Sequence, residues 1–194
     1  ELLKKMLRDI GKENGVFILE VPHLLNILKE NQYDNIFHEH IGFHSLRSIK
    51  DLCEQHNLRV FDVKRIDSQG GSLRCFICKK KSRRVISKKT KKILSIEKKL
   101  RLFSKKNLEK FNLKIKKHSK KMYQLIYNLK KKKNKISIYG ASGKGQALMQ
   151  FAKIDNKLID YVFDKSKLKQ GRFTPGTNIK IVDPKYISRK NVDY

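Results

Sequence analysis

Apolar residues follow strand-like and helix-like spacings in turn along the first 80 residues, and these spacings predict the order of the elements. Residues 1–10 have helical spacing, whereas VFILEVP (16–22) is a continuous apolar run typical of a buried central strand. Ser45 precedes a helical apolar pattern, so we expect it to cap a helix. LRVFDVKRI and SLRCFICKK then predict two strands joined by DSQGG. This order is typical of the closing half of an α/β sheet that ends in an antiparallel hairpin.

Residues 86–133 show a different pattern, in which apolar side chains recur every three or four positions. A phase slip separates the pattern into two sets, so it predicts either one long or two shorter amphipathic helices with lysines on the solvated faces. The first set comprises Ile93, Ile96, Leu100 and Phe103, and the second comprises Leu108, Phe111, Ile115, His118, Met122, Leu125 and Leu129.

Strands and helices alternate again from Lys135. KISIYG predicts a strand, ASGKG a tight turn, QALMQFAKI a helix, and LIDYVFD and IKIVDP two further strands. Such alternation predicts a parallel sheet of the Rossmann type. We therefore expect an α/β protein with three segments: a partial sheet over 1–82, a basic helical connector over 83–134, and a second, Rossmann-like unit over 135–194.

The net charge of +29 would favour a polyanionic partner, but most of this charge lies in one segment and not over the whole molecule. Residues 79–135 hold 25 of the 47 lysines and arginines and only two acids, Glu97 and Glu109. A protein that binds nucleic acid through these helices is one alternative. Because aromatic residues for base stacking are not interleaved with the lysines, we favour a helical connector. No apolar run approaches the roughly 20 residues that span a bilayer, so no membrane partner is expected.

Three cysteines, Cys53, Cys75 and Cys78, do not suggest a disulfide framework, and we expect a cytoplasmic protein. Cys75 and Cys78 match C-x-x-C, but they lie in a predicted strand. Side chains three apart on a strand point to opposite faces, which is poor geometry for a shared metal ion.

A glycine-rich turn opens the third segment between its first strand and helix. Glycines at such a turn let the backbone approach an anion, and the helix N-terminus supplies free N–H groups. Asp164 ends the next strand near the position where a ribose-binding acid lies in dinucleotide folds. The turn therefore predicts a ligand with a diphosphate, and an NAD-dependent nucleotide-sugar oxidoreductase is one alternative.

The stretch FHEHIGFH, residues 37–44, concentrates three of the six histidines. In an extended backbone the imidazoles of His38 and His40 point the same way, with the Glu39 carboxylate opposite. His-x-His pairs bind metals, and His44 offers a third ligand, but no well-spaced fourth ligand lies nearby. We expect no metal here and favour an acid–base role, since a neutral imidazole is the usual general base near pH 7.

Taken together, these motifs resemble the sugar C-methyltransferases. The stretch from FILEVP through the H-E-H block to GGSLRCFICKK is similar to the later part of their class I methyltransferase domain. YGASGKGQALMQF and the downstream LIDYVFDKSKLKQGRFTPGTNIKIVDP resemble their C-terminal Rossmann-like domain. The resemblance implies transfer of a methyl group from S-adenosylmethionine to a carbon beside a ketone of a deoxysugar carried on a nucleoside diphosphate, through a base-generated enolate.

The resemblance also implies residue roles. His40 would be the base, Glu39 its partner in orientation or substrate contact, and His38 a weaker member of the site. The family usually has Tyr directly before H-E-H, where this chain has Phe37. The residues that would hold the nucleotide-sugar are Gly71, Arg74, Gly140, Ser142, Gly143, Lys144, Gly145 and Arg172.

The family's glycine-rich loop for S-adenosylmethionine and its zinc-binding domain both lie upstream of the position that corresponds to Glu1. The last strand of the C-terminal domain would begin near the final VDY. We therefore expect this chain to be a fragment of such an enzyme, without the cofactor loop or the zinc.

Overall fold

A computed structural model describes residues 15–38 and 40–194. By their contacts, these residues divide into two units. The first unit comprises the described residues up to Gln32 together with Gly42–Phe111, and the second comprises Tyr33–Ile41 together with Asn112–Tyr194. This division does not coincide with the three segments predicted from the sequence, because the basic segment is shared between the two units. The helix predicted over 1–10 lies outside the described residues.

The first unit contains a three-stranded sheet in which the third strand lies in the middle. Its elements are β1 (Phe17–Pro22), α1 (Leu24–Glu30), α2 (Leu46–Gln55), β2 (Leu58–Ile66), β3 (Ser72–Lys79) and α3 (Lys88–Leu100). Strand β3 is antiparallel to both β1 and β2, which confirms the predicted hairpin. The prediction of a buried central strand at 16–22 was wrong for the described residues: β1 pairs with β3 alone, and Ile18 is 54% exposed. Its apolar run packs against the core through alternate residues only, Phe17, Leu19 and Val21.

Helix α2 begins where the sequence predicts. Ser45 caps it, accepting the Ser48 N–H at 3.0 Å through its hydroxyl, while the Ser48 hydroxyl accepts the Ser45 N–H in return. Reciprocal bonds of this kind satisfy two of the N–H groups that a helix start leaves without partners. The helix then packs its buried residues Leu46, Ile49 and Cys53 against the sheet.

A buried carboxylate from α3 joins three parts of the first unit. Glu97 is only 4% exposed. Its oxygens accept the backbone N–H groups of Leu46 at 2.7 Å and Arg47 at 2.9 Å, and one of them lies 2.8 Å from His23 Nε2. The start of a helix carries unsatisfied N–H groups and a partial positive charge, so it favours a carboxylate. Glu97 thereby connects α3 to the start of α2 and to the residue that follows β1.

The basic segment forms two helices, α3 and α4 (Lys105–Lys131), so the alternative of two shorter helices is the right one. Arg101 separates them in the left-handed backbone conformation, with a φ of 47°. This break coincides with the phase slip in the sequence. The C-terminal part of α4 is not merely a solvated connector, because four of its side chains pack against the core of the second unit. They are Met122, Tyr123, Ile126 and Leu129.

The second unit is built on a parallel sheet, as the alternating pattern predicts. Its further elements are β4 (Ser137–Tyr139), α5 (Gly143–Ala152), β5 (Tyr161–Phe163) and β6 (Ile181–Val182), with the strands in the order β4-β5-β6. The chain ends beside β4, where the Ser137 N–H donates to the Tyr194 carbonyl at 2.8 Å. The core of this unit is apolar and includes Met149, Ile154, Ile159, Val162 and Ile179.

We expect Glu97→Gln to lower the free energy of unfolding by about 3 kcal/mol, because an amide turns one donor group toward backbone N–H groups that need acceptors. Urea unfolding at neutral pH measures this loss. The matched control is Glu109→Gln, since Glu109 is 61% exposed and its nearest cation, Lys105, lies 4.0 Å away. The control should change the free energy of unfolding by less than about 0.5 kcal/mol. Equal effects of the two substitutions would contradict the anchoring role of Glu97.

Candidate functional site

The segment 33–41, which carries His38 and His40, is held against the second unit by Tyr33. This tyrosine begins a short 3-10 turn and is 5% exposed. Its hydroxyl lies 2.8 Å from His118 Nδ1 on α4, and its ring centroid lies 5.3 Å from that of Phe151 on α5. Burial, together with the neighbouring Asp34 carboxylate, raises the pKa of Tyr33 above its usual value. The hydroxyl therefore stays protonated as a hydrogen-bonding anchor.

His40 is oriented by the turn that precedes it. Its Nδ1 lies 2.9 Å from the carbonyl oxygen of Asn35, and its ring centroid lies 4.5 Å from the ring centroid of Phe37. Because a carbonyl oxygen only accepts, Nδ1 must carry the proton in this contact. In the neutral imidazole, Nε2 then holds the lone pair, which is the state that a general base requires. Glu39 lies outside the described residues, so its predicted role stays a prediction.

A cavity of about 540 Å³ lies within the second unit. It is lined on one side by the histidine segment and on the other by the start of α5 and the loop after β5. These residues include Phe37, His38, Ser142, Gly143, Lys169 and Arg172. One histidine of the H-E-H block therefore shares a cavity with two cations and the start of a helix.

The start of α5 has a geometry that suits an anion. Ser142 caps the helix by accepting the Gly145 N–H at 3.1 Å. Residues 143–145, predicted as part of a tight turn, instead form the first helical turn, because the Ser142 cap lets the helix begin at Gly143. A Cβ at Gly143 would lie 3.1 Å from the Phe37 ring, so glycine permits this ring to approach the helix closely. The first N–H groups of a helix lack partners within it and favour an anion.

Comparison with known proteins is consistent with this arrangement. Residues 67–194 match the family model described as the C-methyltransferase C-terminal domain. The chain belongs to this family. It is also 31% identical over 181 residues to the C-methyltransferase NovU of Streptomyces niveus. That match covers 93% of the chain but 43% of NovU, so the chain spans less than half the length of this relative. The resemblance drawn from the sequence motifs and the α/β fold class are confirmed.

In this member of the family, Asp164 at the end of β5 joins two loops. Its oxygens accept the N–H groups of Ala141 and Ser166, both at 2.8 Å, and the ammonium of Lys169 lies 3.3 Å away. The N–H of Ser166, followed by that of Ala141 and the Lys169 ammonium, holds the pKa of Asp164 below its usual value, although desolvation acts in the opposite direction. Both oxygens are thus engaged inside the protein, which does not favour the ribose-binding role of the oxidoreductase alternative.

The structure places the other predicted substrate residues in different locations. Arg172 lines the second-unit cavity, whereas Gly140, Lys144 and Gly145 flank it in the turn and first helical turn. Gly71 and Arg74 belong to the first unit.

Gly71 and Arg74 make local contacts there. At Gly71 a Cβ would lie 1.8 Å from Asn26 Nδ2, so glycine is required for close packing. Gly71 also lines a second cavity of about 440 Å³ with Asn26 and Arg65. Arg74 pairs at 2.8 Å with Glu20 on the neighbouring strand. Their predicted substrate contacts stay predictions.

Lys169 and Gln146 also line the cavity and were not identified from the sequence. Lys169 occurs in KQGRFTPGT, which is part of the stretch that resembles the family's C-terminal domain, and this was the available signal for it. No sequence signal distinguished Gln146 from the other residues of its helix.

The described residues also bear on two questions that the sequence raises, a metal site and a membrane-spanning helix. Within residues 15–38 and 40–194, no three His, Cys, Asp or Glu side chains lie close enough to hold a metal ion. In the same residues, no helix is both long and apolar enough to cross a membrane.

We expect Tyr33→Phe to lower the free energy of unfolding by about 1 kcal/mol, because it removes the hydroxyl that bonds His118. Amide hydrogen exchange should also become faster at the His40 N–H, which donates to Phe37 within the anchored segment. The control is Tyr127→Phe on α4, where the side chain is 47% exposed and should tolerate loss of the hydroxyl. Unchanged exchange in Tyr33→Phe would show that the segment is held by other contacts.

We expect Asp164→Asn to lower the free energy of unfolding at pH 7 by about 2 kcal/mol, since a charged acceptor of two N–H groups is lost. The folded-state pKa of Asp164 lies below its ordinary value of 3.8, so the carboxylate stabilises the fold above that pH. The difference between wild type and variant should therefore shrink as the pH falls below about 4. Urea unfolding between pH 2 and 7 measures it, with the exposed Asp51→Asn as control. A difference that does not depend on pH would contradict this assignment.

Proposed function

We propose that this chain is part of an S-adenosylmethionine-dependent enzyme that methylates a carbon next to the ketone of a deoxysugar linked to a nucleoside diphosphate. The observation that supports this most is that the histidine segment and the phosphate-type binding elements border one cavity of the second unit. His38 of this segment lines the cavity, and His40, the proposed base, lies two residues further along the same segment. The segment and the anion site together suit a substrate that carries both an acidic C–H and a diphosphate.

The cavity has three features that suit a nucleoside-diphosphate sugar. The capped start of α5 offers backbone N–H groups, and Lys169 and Arg172 add positive charge. Phe37 and the 56% exposed Phe173 supply apolar surface for a base or sugar ring. A volume of about 540 Å³ lies within the usual range for small-molecule sites.

His40 is the proposed base for the chemical step. Methylation of a carbon beside a ketone requires removal of the α-proton, which leaves an enolate. His40 Nε2 can accept that proton, because Nδ1–H already donates to the Asn35 carbonyl. The same carbonyl stabilises the imidazolium that forms, since its dipole points toward the positive ring. We propose Glu39 and His38 as orienting or substrate-contacting residues beside it.

S-adenosylmethionine would supply the electrophilic methyl group. The described part of the first unit does not fit this molecule: its Gly70 and Gly71 lie between the antiparallel strands β2 and β3, not between a strand and a helix. A Cβ at Gly70 would meet the Gln32 side chain, and a Cβ at Gly71 would meet the Asn26 side chain. No described residue is therefore assigned to the methyl donor, and the proposed steps are limited to the sugar.

We expect His40→Asn to slow proton removal by at least about 100-fold, because it keeps a donor near the Asn35 carbonyl but removes the basic nitrogen. The measurement is deuterium incorporation from D2O at the α-carbon of a dTDP-linked keto-deoxysugar, without a methyl donor. Affinity for the nucleotide-sugar should change less than about twofold, since the cations of the cavity are retained.

The control for this experiment is His56→Asn, because His56 ends α2 in the first unit and has no proposed contact with the cavity. It should exchange deuterium at the wild-type rate. An unchanged rate in His40→Asn would rule out His40 as the base.

A further inference from the structure

Gln146 combines burial with an unused hydrogen-bond donor. It lies one turn inside α5, is 9% exposed, and lines the second-unit cavity. Its Nε2 is buried and has no hydrogen-bond acceptor among the residues that the structure describes. A buried donor without an acceptor destabilises a protein, so such groups need an explanation. Because the residue lines the cavity, a ligand oxygen that displaces the atoms covering Nε2 would provide the acceptor.

A relay of two buried hydroxyls favours the orientation of the Gln146 amide in which its oxygen faces Thr177. Thr174 Oγ1 accepts the Ile179 N–H at 2.8 Å and lies 2.7 Å from Thr177 Oγ1, whose hydroxyl lies 3.2 Å from Gln146 Oε1. Each hydroxyl has one proton. With the Gln146 oxygen toward Thr177, Thr177 donates to Gln146 and accepts from Thr174, which itself accepts from Ile179, so both hydroxyl protons have acceptors. With the amide reversed, Thr177 would donate to Thr174, and the Thr174 proton would have no acceptor among these groups. The amide oxygen of Gln146 is thereby held toward Thr177, and the NH₂ group remains as the donor.

The neighbouring Gln150 shows that the same turn can accept from the NH₂ group of an amide side chain. Its Nε2 donates to the Pro175 carbonyl at 2.9 Å, and Gly176 packs directly against its side chain. Gly176 has a φ of +73°, so this close packing suits glycine. The turn 174–177 therefore contacts both glutamines of α5, and it satisfies the NH₂ group of Gln150 while it binds only the oxygen of Gln146.

We propose that Gln146 is a ligand-recognising residue of the second-unit cavity. Its amide N–H donates to a neutral acceptor oxygen of a nucleoside-diphosphate sugar, and Thr174 and Thr177 are positioning residues that hold it in the donor orientation. The inference rests on the proposed function and deepens it. Lys169, Arg172 and the start of α5 attract phosphates of any nucleotide. A buried neutral donor instead discriminates between ligands, because a ligand without the matching oxygen leaves that donor unpaired.

The test is calorimetric titration of the 194-residue chain with UDP, dTDP, UDP-glucose and dTDP-glucose as probes. Gln146→Met should bind about tenfold more weakly than wild type, as expected for loss of one buried hydrogen bond. Weaker binding of all four probes places the acceptor oxygen on the nucleotide. Weaker binding of only the two glucose adducts places it on the sugar. Unchanged affinity for all four would overturn the inference.

These outcomes separate this inference from the proposed function. A wild-type chain that binds none of the four probes would contradict the proposed ligand class and, with it, this role of Gln146. A wild-type chain that binds them with the same affinity as Gln146→Met would leave the ligand class intact and overturn the inference alone. Gln146→Glu is a second variant, since it keeps an oxygen toward Thr177 but removes the donor, and it should also lose about tenfold in affinity.

A matched pair at Thr177 tests the relay itself. Thr177 is 3% exposed and acts on the cavity through Gln146. Thr177→Val removes the hydroxyl and should weaken binding about threefold or more, whereas Thr177→Ser keeps the hydroxyl and should bind like wild type. In the Gln146→Met background, Thr177→Val should cause no further loss of affinity. A merely structural role would lower the urea midpoint of Thr177→Val while leaving its affinity equal to that of Thr177→Ser, and would overturn the positioning role.

Discussion

The burial of Tyr33 between α4 and α5 determines where the histidines of this chain lie. The segment 33–41 is short and has one 3-10 turn, so it cannot bury enough apolar surface to hold its own conformation. Tyr33 supplies both a ring that packs on Phe151 and a hydroxyl that bonds His118. With that end held, the turn orients His40 through the Asn35 carbonyl and places Phe37 and His38 on the cavity. The proposed base therefore depends on an anchor several residues away.

The two units use carboxylates in the same way, although their sheets differ. Glu97 in the first unit accepts two adjacent N–H groups at the start of α2, and Asp164 in the second accepts one from Ser166 nearby and one from Ala141 in the loop before α5. An ionised carboxylate suits this role because it accepts several bonds and strengthens each of them by its charge. Of the two acids in the lysine-rich segment, one is buried to join three elements and the other is exposed. The lysines around them lie on solvated helix faces and contribute little to the packing of the fold.

Local patterns predicted much of the fold, and long-range contacts account for what they missed. The antiparallel hairpin, the Ser45 cap, the parallel second sheet and the family all followed from spacing and motifs, because these signals lie within short stretches of sequence. The attachment of 33–41 to α4 and α5 did not follow, since it depends on a bond between residues 85 positions apart. The Gln146 relay was missed for the same reason, as its hydroxyls come from a turn 31 positions away. At the site, sequence motifs identified Arg172 and the start of α5. They did not identify Gln146, which lines the same cavity.

The two units are interleaved along the chain, and this affects how the protein is made. Tyr33 leaves the ribosome long before Phe151, its partner on α5, and at usual synthesis rates the delay is roughly 10 s. During that time the apolar side chains of 33–41 have no packing surface from their own unit, so they are open to chaperones and to aggregation. Closing the long loop between Tyr33 and Phe151 costs conformational entropy and slows folding. Neither unit can be excised as one continuous piece, and an expression boundary placed at any single position between 41 and 112 separates the histidine segment from its cavity.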